Sequence, residues 1–299
     1  LGDTIKSKGD SYQMQIHNID LHYHAGQERQ AGVTLTEYID YAQKTARKIL
    51  GITDHYHLYF LHSPIDREFP YEKNLRGFLK FREDVESQKP LFPEMTILFA
   101  PEIAWYEDFA EIPAEVIEVS DYFICEPPFK GDFGENTAQL LKRMDEISQF
   151  AKAAGKPVFL AHPFRIAVNY RLIEREIGPE VTAIQTRESF EDFSCRELDE
   201  FFMFDIKKIA QAAQKLQIPM EINGNTQFRI RSTNLPGVLQ MLWAALKVMK
   251  EEGVEFVPGS DLHGFVTGLG KMGEGVPEDC FRALGIDVSD LKFLERVLG

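Results

Sequence analysis

The chain has 299 residues, 44% of them hydrophobic and 23 of them Phe, enough to bury a sizeable α/β core. Its formal net charge of −14 repels a phosphate backbone and an anionic bilayer, so neither long nucleic acid nor a membrane surface is an expected partner. Three scattered cysteines without a Cys-x-x-Cys pair speak against a disulfide framework. The opening stretch LGDTIKSKGD has no basic–apolar signal pattern, and no apolar run approaches bilayer length; the expected location is the cytoplasm.

After an N-terminal extension over 1–14, short apolar runs predict strands at 15–21, 49–53, 96–100, 122–125, 157–161, 218–222 and 256–259. A weaker candidate lies at 181–185. Helices alternate with them. The first, over 34–48, opens on the capping box Thr34-x-x-Glu37. The second, 136–154, ends at Gly155, a residue suited to a left-handed cap. Two more are expected over 204–216 and 235–252, and two long loops over about 56–95 and 164–203. Strand–helix alternation with apolar strands implies a parallel sheet buried on both faces. Seven such units without a linker favour one closed or nearly closed barrel, and no glycine-rich nucleotide fingerprint follows the first strand.

Polar residues concentrate at the strand ends. Asp20-Leu21-His22-Tyr23-His24 closes the first strand, and alternation puts His22 and His24 on one face. Asp54 and His55 end the second, Glu102 the third, His162 the fifth, Glu221 and Asn223 the sixth, and Asp261 and His263 the seventh. In a parallel barrel these ends meet at one mouth. So many imidazoles and carboxylates without a cation would leave desolvated charge unpaired. Divalent metals remove that cost. Nitrogen and oxygen donors without thiolate suit zinc, manganese or iron, and ions of this kind activate water for hydrolysis.

The stretches DLHYH, GITDHYH, APE, AHPFR, EINGN and GSDLHG, in this order from Asp20 to Gly264, resemble the PHP (polymerase and histidinol phosphatase) superfamily. The resemblance implies a distorted (β/α)7 TIM-like barrel, two or three metal ions, and cleavage of phosphate esters. It implies that His22, His24, Glu102 and Asp261 bind a first ion, and that Glu102 bridges to a second ion held by His162. His55 and His263 would serve a third.

Two departures stand out. Members often carry Gly-Ser-Val-His at the fourth strand end; here Cys125-Glu126-Pro127-Pro128 puts Pro128 at the histidine's position, with Glu126 as a replacement ligand or a solvated loop acid. Members also carry a His or Asp five or six residues after the equivalent of His24, where this chain has Arg29 and Gln30, with Glu28 just before. Glu28 is either a substitute ligand or an exposed acid, and the altered loop speaks against histidinol phosphate as substrate.

Asp54 and Arg165 are the catalytic candidates. A guanidinium grips phosphate with paired hydrogen bonds, so Arg165, Arg229 and Arg231, with Asn223 and His57, are the substrate-binding candidates. Trp105 and Tyr106 either line a pocket or belong to the core, Cys125 reads as a buried apolar residue, and His17 and His62 as structural or exposed. The expected activity is hydrolysis of a small phosphate monoester. The alternatives are a phosphodiesterase or exonuclease and a barrel that binds metal or a phosphorylated ligand without turnover. The oligomeric state is left open.

Overall fold

The computed structural model describes residues 14–29, 32–60, 70–129, 132–169, 187, 189–264 and 275–299. Among them seven parallel strands stand side by side in chain order: β1 (Ile19–His24), β2 (Ile49–His55), β3 (Thr96–Ile103), β4 (Phe123–Cys125), β5 (Val158–Leu160), β6 (Met220–Asn223) and β7 (Phe256–Gly259). Just past β7 the chain returns to β1, where Tyr23 pairs with Leu262, Leu262 O accepts from His24 N–H (3.0 Å), and His22 O accepts from Asp261 N–H (2.7 Å). The result is a nearly closed (β/α)7 barrel, as the alternation of elements implies. The expected strand at 181–185 and His62 lie outside the described residues.

Local chemistry explains where the elements depart from expectation. The first strand begins later than predicted because Ile16–Asn18 forms a 3-10 turn, in which Asn18 Oδ1 accepts from Gln15 N–H (2.8 Å). Its register against β2 then slips between Asp20 and Tyr23. At that slip the Leu21 carbonyl accepts from the Tyr122 hydroxyl (2.6 Å), so the displaced group stays satisfied. Gly51 faces this point, where a Cβ would lie 1.8 Å from the Tyr122 oxygen.

The Thr34–Glu37 box caps the helix Leu35–Lys44, which stops short of Lys48 because Ala46 turns at φ 65°. Gly155, at φ 64°, ends the helix Phe133–Ala154. The two long loops hold helices of their own: Leu75–Gln88 in the first and Cys195–Phe202 in the second. Apolar side chains from strands and surrounding helices form one continuous core.

Candidate metal centre

All seven strands run parallel, so their C-terminal ends bring the polar residues to one mouth. His22, His24, Glu102, His162 and Asp261 are buried there, with Glu28, His55, His57, Glu126, Arg165 and His263 partly exposed around them.

Two carboxylate oxygens organise the centre. Glu102 Oε2 lies 3.4 Å from His22 Nε2, 3.3 Å from His24 Nε2 and 2.9 Å from His55 Nδ1. Glu28 Oε2 lies 3.2 Å from His24 Nδ1, 3.1 Å from His55 Nε2 and 3.2 Å from His263 Nε2. Despite this proximity, both oxygens, His24 Nδ1, His55 Nδ1 and Asp261 Oδ1 have no hydrogen-bond partner. His22 Nε2 and His24 Nε2 also sit 3.0 Å apart. Donor atoms clustered this closely, several of them without a hydrogen-bond partner, are what a cation requires. Tetrahedral zinc with bonds of about 2.1 Å sets its donors roughly 3.4 Å apart. The donor set therefore fits divalent metal, in overlapping groups: His22–His24–Asp261, His22–Glu102–His162, His24–Glu28–His55–His263 and His55–Glu102–Glu126. Both loop acids whose role the sequence leaves open, Glu28 and Glu126, fall within these groups.

Electrostatics repeat the point. Burial alone would lower the His22 and His55 pKa values, but Glu221 and Glu102 override it at His22, raising it to about 10. Glu28 and Glu102 do the same at His55, raising it to about 9. Burial would raise Asp261, yet Arg165 and His22 hold it well below the usual carboxylate range. Without metal, protons on the imidazoles do the neutralising.

A surrounding shell fixes the donors. Glu221 Oε1 lies 3.0 Å from His22 Nδ1, which must donate to it, leaving Nε2 turned inward. The other oxygen, Oε2, accepts from His162 N–H (2.7 Å). His162 and Asp261 both have positive φ, 23° and 56°, conformations costly for side chains with a Cβ and found where a site demands them. Asp261 Oδ2 accepts from Arg165 Nη1 (2.5 Å), Asn223 Nδ2 (3.4 Å) and Asn225 Nδ2 (3.3 Å), so Oδ1 is left for the centre.

The remaining candidates are placed as follows. Asp54 sits behind His24, with Oδ1 3.9 Å from His24 Nδ1. It accepts from the Gln27 amide, from the Tyr59 hydroxyl (2.9 Å) and from His55 N–H (3.1 Å), which fixes the loop presenting Glu28. Arg165 reaches Glu126 (3.4 Å) as well as Asp261. Asn223 caps the helix Gly224–Ser232 through Thr226 N–H (2.7 Å). Arg229 lies just behind, held by Asn225 (3.2 Å) and Asn169 (3.3 Å), and its pKa is lowered by burial and by Arg165. His57 stands beside His55, ring centroids 5.2 Å apart. Arg231 is not brought to the mouth; it pairs with Asp279 on the surface. Cys125 is buried, its thiol pushed up to about 12 by desolvation.

Asn225 and Gln27 are not among the candidates named from sequence, and Glu221 appears there only as a strand-end acid without a role of its own. For Glu221 the signal was present: an acid at the end of an apolar strand, in the same position as the ligands.

No protein-family model and no curated protein matches the sequence. Among solved structures the chain is similar to the crystal structure of histidinol phosphate phosphatase (HISK) from Lactococcus lactis subsp. lactis Il1403, complexed with zinc, L-histidinol and phosphate. The TM-score is 0.53 at 14% identity, covering 89% of this chain and 91% of that one, a likeness of fold.

Proposed function

We propose that the chain is a metal-dependent phosphoesterase that hydrolyses a small phosphate monoester. The observation that carries this reading is the pair of carboxylate oxygens, on Glu28 and Glu102, each ringed by three imidazole nitrogens without a hydrogen bond. His22, His24, Glu102 and Asp261 would hold one ion, Glu102 and His162 a second, and Glu28, His55 and His263 with His24 a third. Zinc, manganese or iron match these donors. Bound there, such ions supply water of lowered pKa and neutralise charge on the phosphoryl oxygens.

Hydrolysis breaks the bond from phosphorus to the leaving oxygen, joins a water oxygen to phosphorus, and delivers a proton to the departing alcohol. Arg165 and Arg229 set two guanidinium groups close together beside the acidic centre, Arg165 paired with Asp261 and Glu126, and guanidinium donors suit the oxygens of a phosphate. Asn223 and Asn225 keep Asp261 oriented, and His57 lies on the approach to His55. The bound zinc and phosphate of the similar structure support the choice of a monoester.

The test is release of inorganic phosphate by the chain loaded with Zn²⁺, Mn²⁺ or Fe²⁺. Turnover of monoesters, lost in the His22→Ala/His24→Ala double variant, is expected. Absence of release from every monoester with all three metals contradicts the reading, and turnover of diesters alone would make it a phosphodiesterase.

A further inference from the structure

Trp105 and Tyr106 follow β3, the strand that carries Glu102, after one residue, Ala104, and are 41% and 51% exposed. Two adjacent aromatic side chains in water at the edge of a site call for an occupant, because ring faces gain most when covered. They meet edge to face, centroids 5.6 Å apart at 82°. Tyr106 also meets His57, centroids 5.9 Å apart, and His57 in turn meets His55. A row of rings thus leads from the metal centre to the surface. Beside it Trp105 and Tyr106 line a cavity of about 730 Å³, shared with Pro128, Phe109 and Phe150.

This wall is held rigidly. The buried Arg143 donates from Nη2 to Ala104 O (2.8 Å) and from Nη1 to Glu107 O (3.2 Å), and its guanidinium lies 4.2 Å from the Phe109 ring. Ala104 N–H donates to the Glu107 carboxylate (2.5 Å). Trp105 and Tyr106 therefore sit on a turn whose backbone is pinned at both ends, so covering them orders side chains but little main chain. Arg143 is committed to two carbonyls, Lys142 stands near Glu146 (3.5 Å), and Glu107, Asp108 and Glu146 add negative charge to the cavity lining, which disfavours a phosphate there.

We infer that this aromatic wall receives a planar ring on the leaving alcohol, so that the favoured substrates are phosphate monoesters bearing an aromatic group. The inference rests on the phosphomonoesterase reading for its chemistry, while the wall itself is open to a separate binding test. Phenyl phosphate and glycerol 3-phosphate are compared as substrates of the Mn²⁺-loaded chain and of its Trp105→Ala/Tyr106→Ala variant. The ratio of their kcat/KM values should shift against phenyl phosphate by about tenfold in the variant, mostly through KM. An unchanged ratio overturns the inference. Phenylphosphonate, which has no ester to cleave, should alter tryptophan emission where methylphosphonate does not, and Trp105→Phe should abolish that change. If neither ester is hydrolysed, the function reading fails, yet the phosphonates still decide the wall: no emission change overturns it.

Discussion

Glu221→Gln isolates the shell around the centre from the ligands themselves. The carboxylate and His22 are both fully buried and 3.0 Å apart, so no solvent screens the pair. The replacement keeps shape and removes charge. A buried hydrogen bond to a charged partner is worth about 1.5–3 kcal/mol, and loss of such an outer partner costs about 10- to 100-fold in metal affinity. At 1.4 kcal/mol per decade those two ranges agree, at roughly 1.4–2.8 kcal/mol. Titration of Zn²⁺ against a competing chelator at neutral pH measures it directly. Gly259 offers a steric counterpart, because a Cβ there would lie 2.0 Å from Glu221 Oε1 and 2.8 Å from the His22 Cβ. Gly259→Ala should therefore weaken metal binding with every charge retained. Wild-type affinity in both variants would refute the claim that Glu221 aims His22 at a metal.

Two further outcomes follow from the same geometry. His22 and His55 have folded pKa values of about 10 and about 9, above their ordinary 6.5, so their stabilising effect on the metal-free protein is complete below 6.5 and disappears as pH rises through those values. The Tm of the metal-free protein should fall as pH is raised from 6.5 towards 10, and added Zn²⁺ should restore it by replacing the protons; a flat profile contradicts this. Gly26→Ala would bring a Cβ within 2.2 Å of Asp54 Oδ2 and 2.8 Å of Phe81 Cε1, in the turn that presents Glu28. Thermal unfolding should register a loss of about 1–3 kcal/mol, and no loss would show that the turn yields freely.

The barrel was legible because buried parallel strands are apolar along their length and end on conspicuous polar residues. The strand-end candidates His22, His24, His55, Glu102, His162, Asp261 and His263 are legible from that change of character. What could not be read is which way a loop side chain turns. Glu28 is drawn in by three imidazoles contributed by β1, β2 and the segment after β7, a long-range convergence that local pattern does not contain. Arg231, two residues from Arg229, lies on another side of the helix Gly224–Ser232 and pairs outward with Asp279. The helix Cys195–Phe202, by contrast, carries a local signal in the capping box Ser194-x-x-Glu197 ahead of Leu198, Phe201 and Phe202, although it falls inside the stretch 164–203 expected to be loop.

Metal content per chain tests the central claim most directly. The purified protein, incubated with Zn²⁺ or Mn²⁺ and freed of loosely held ions, should retain two or three per chain, and the His22→Ala/His24→Ala variant fewer than one. Wild-type protein that retains none with either metal would contradict the account, since the cluster would then be a proton-neutralised network and not a metal centre.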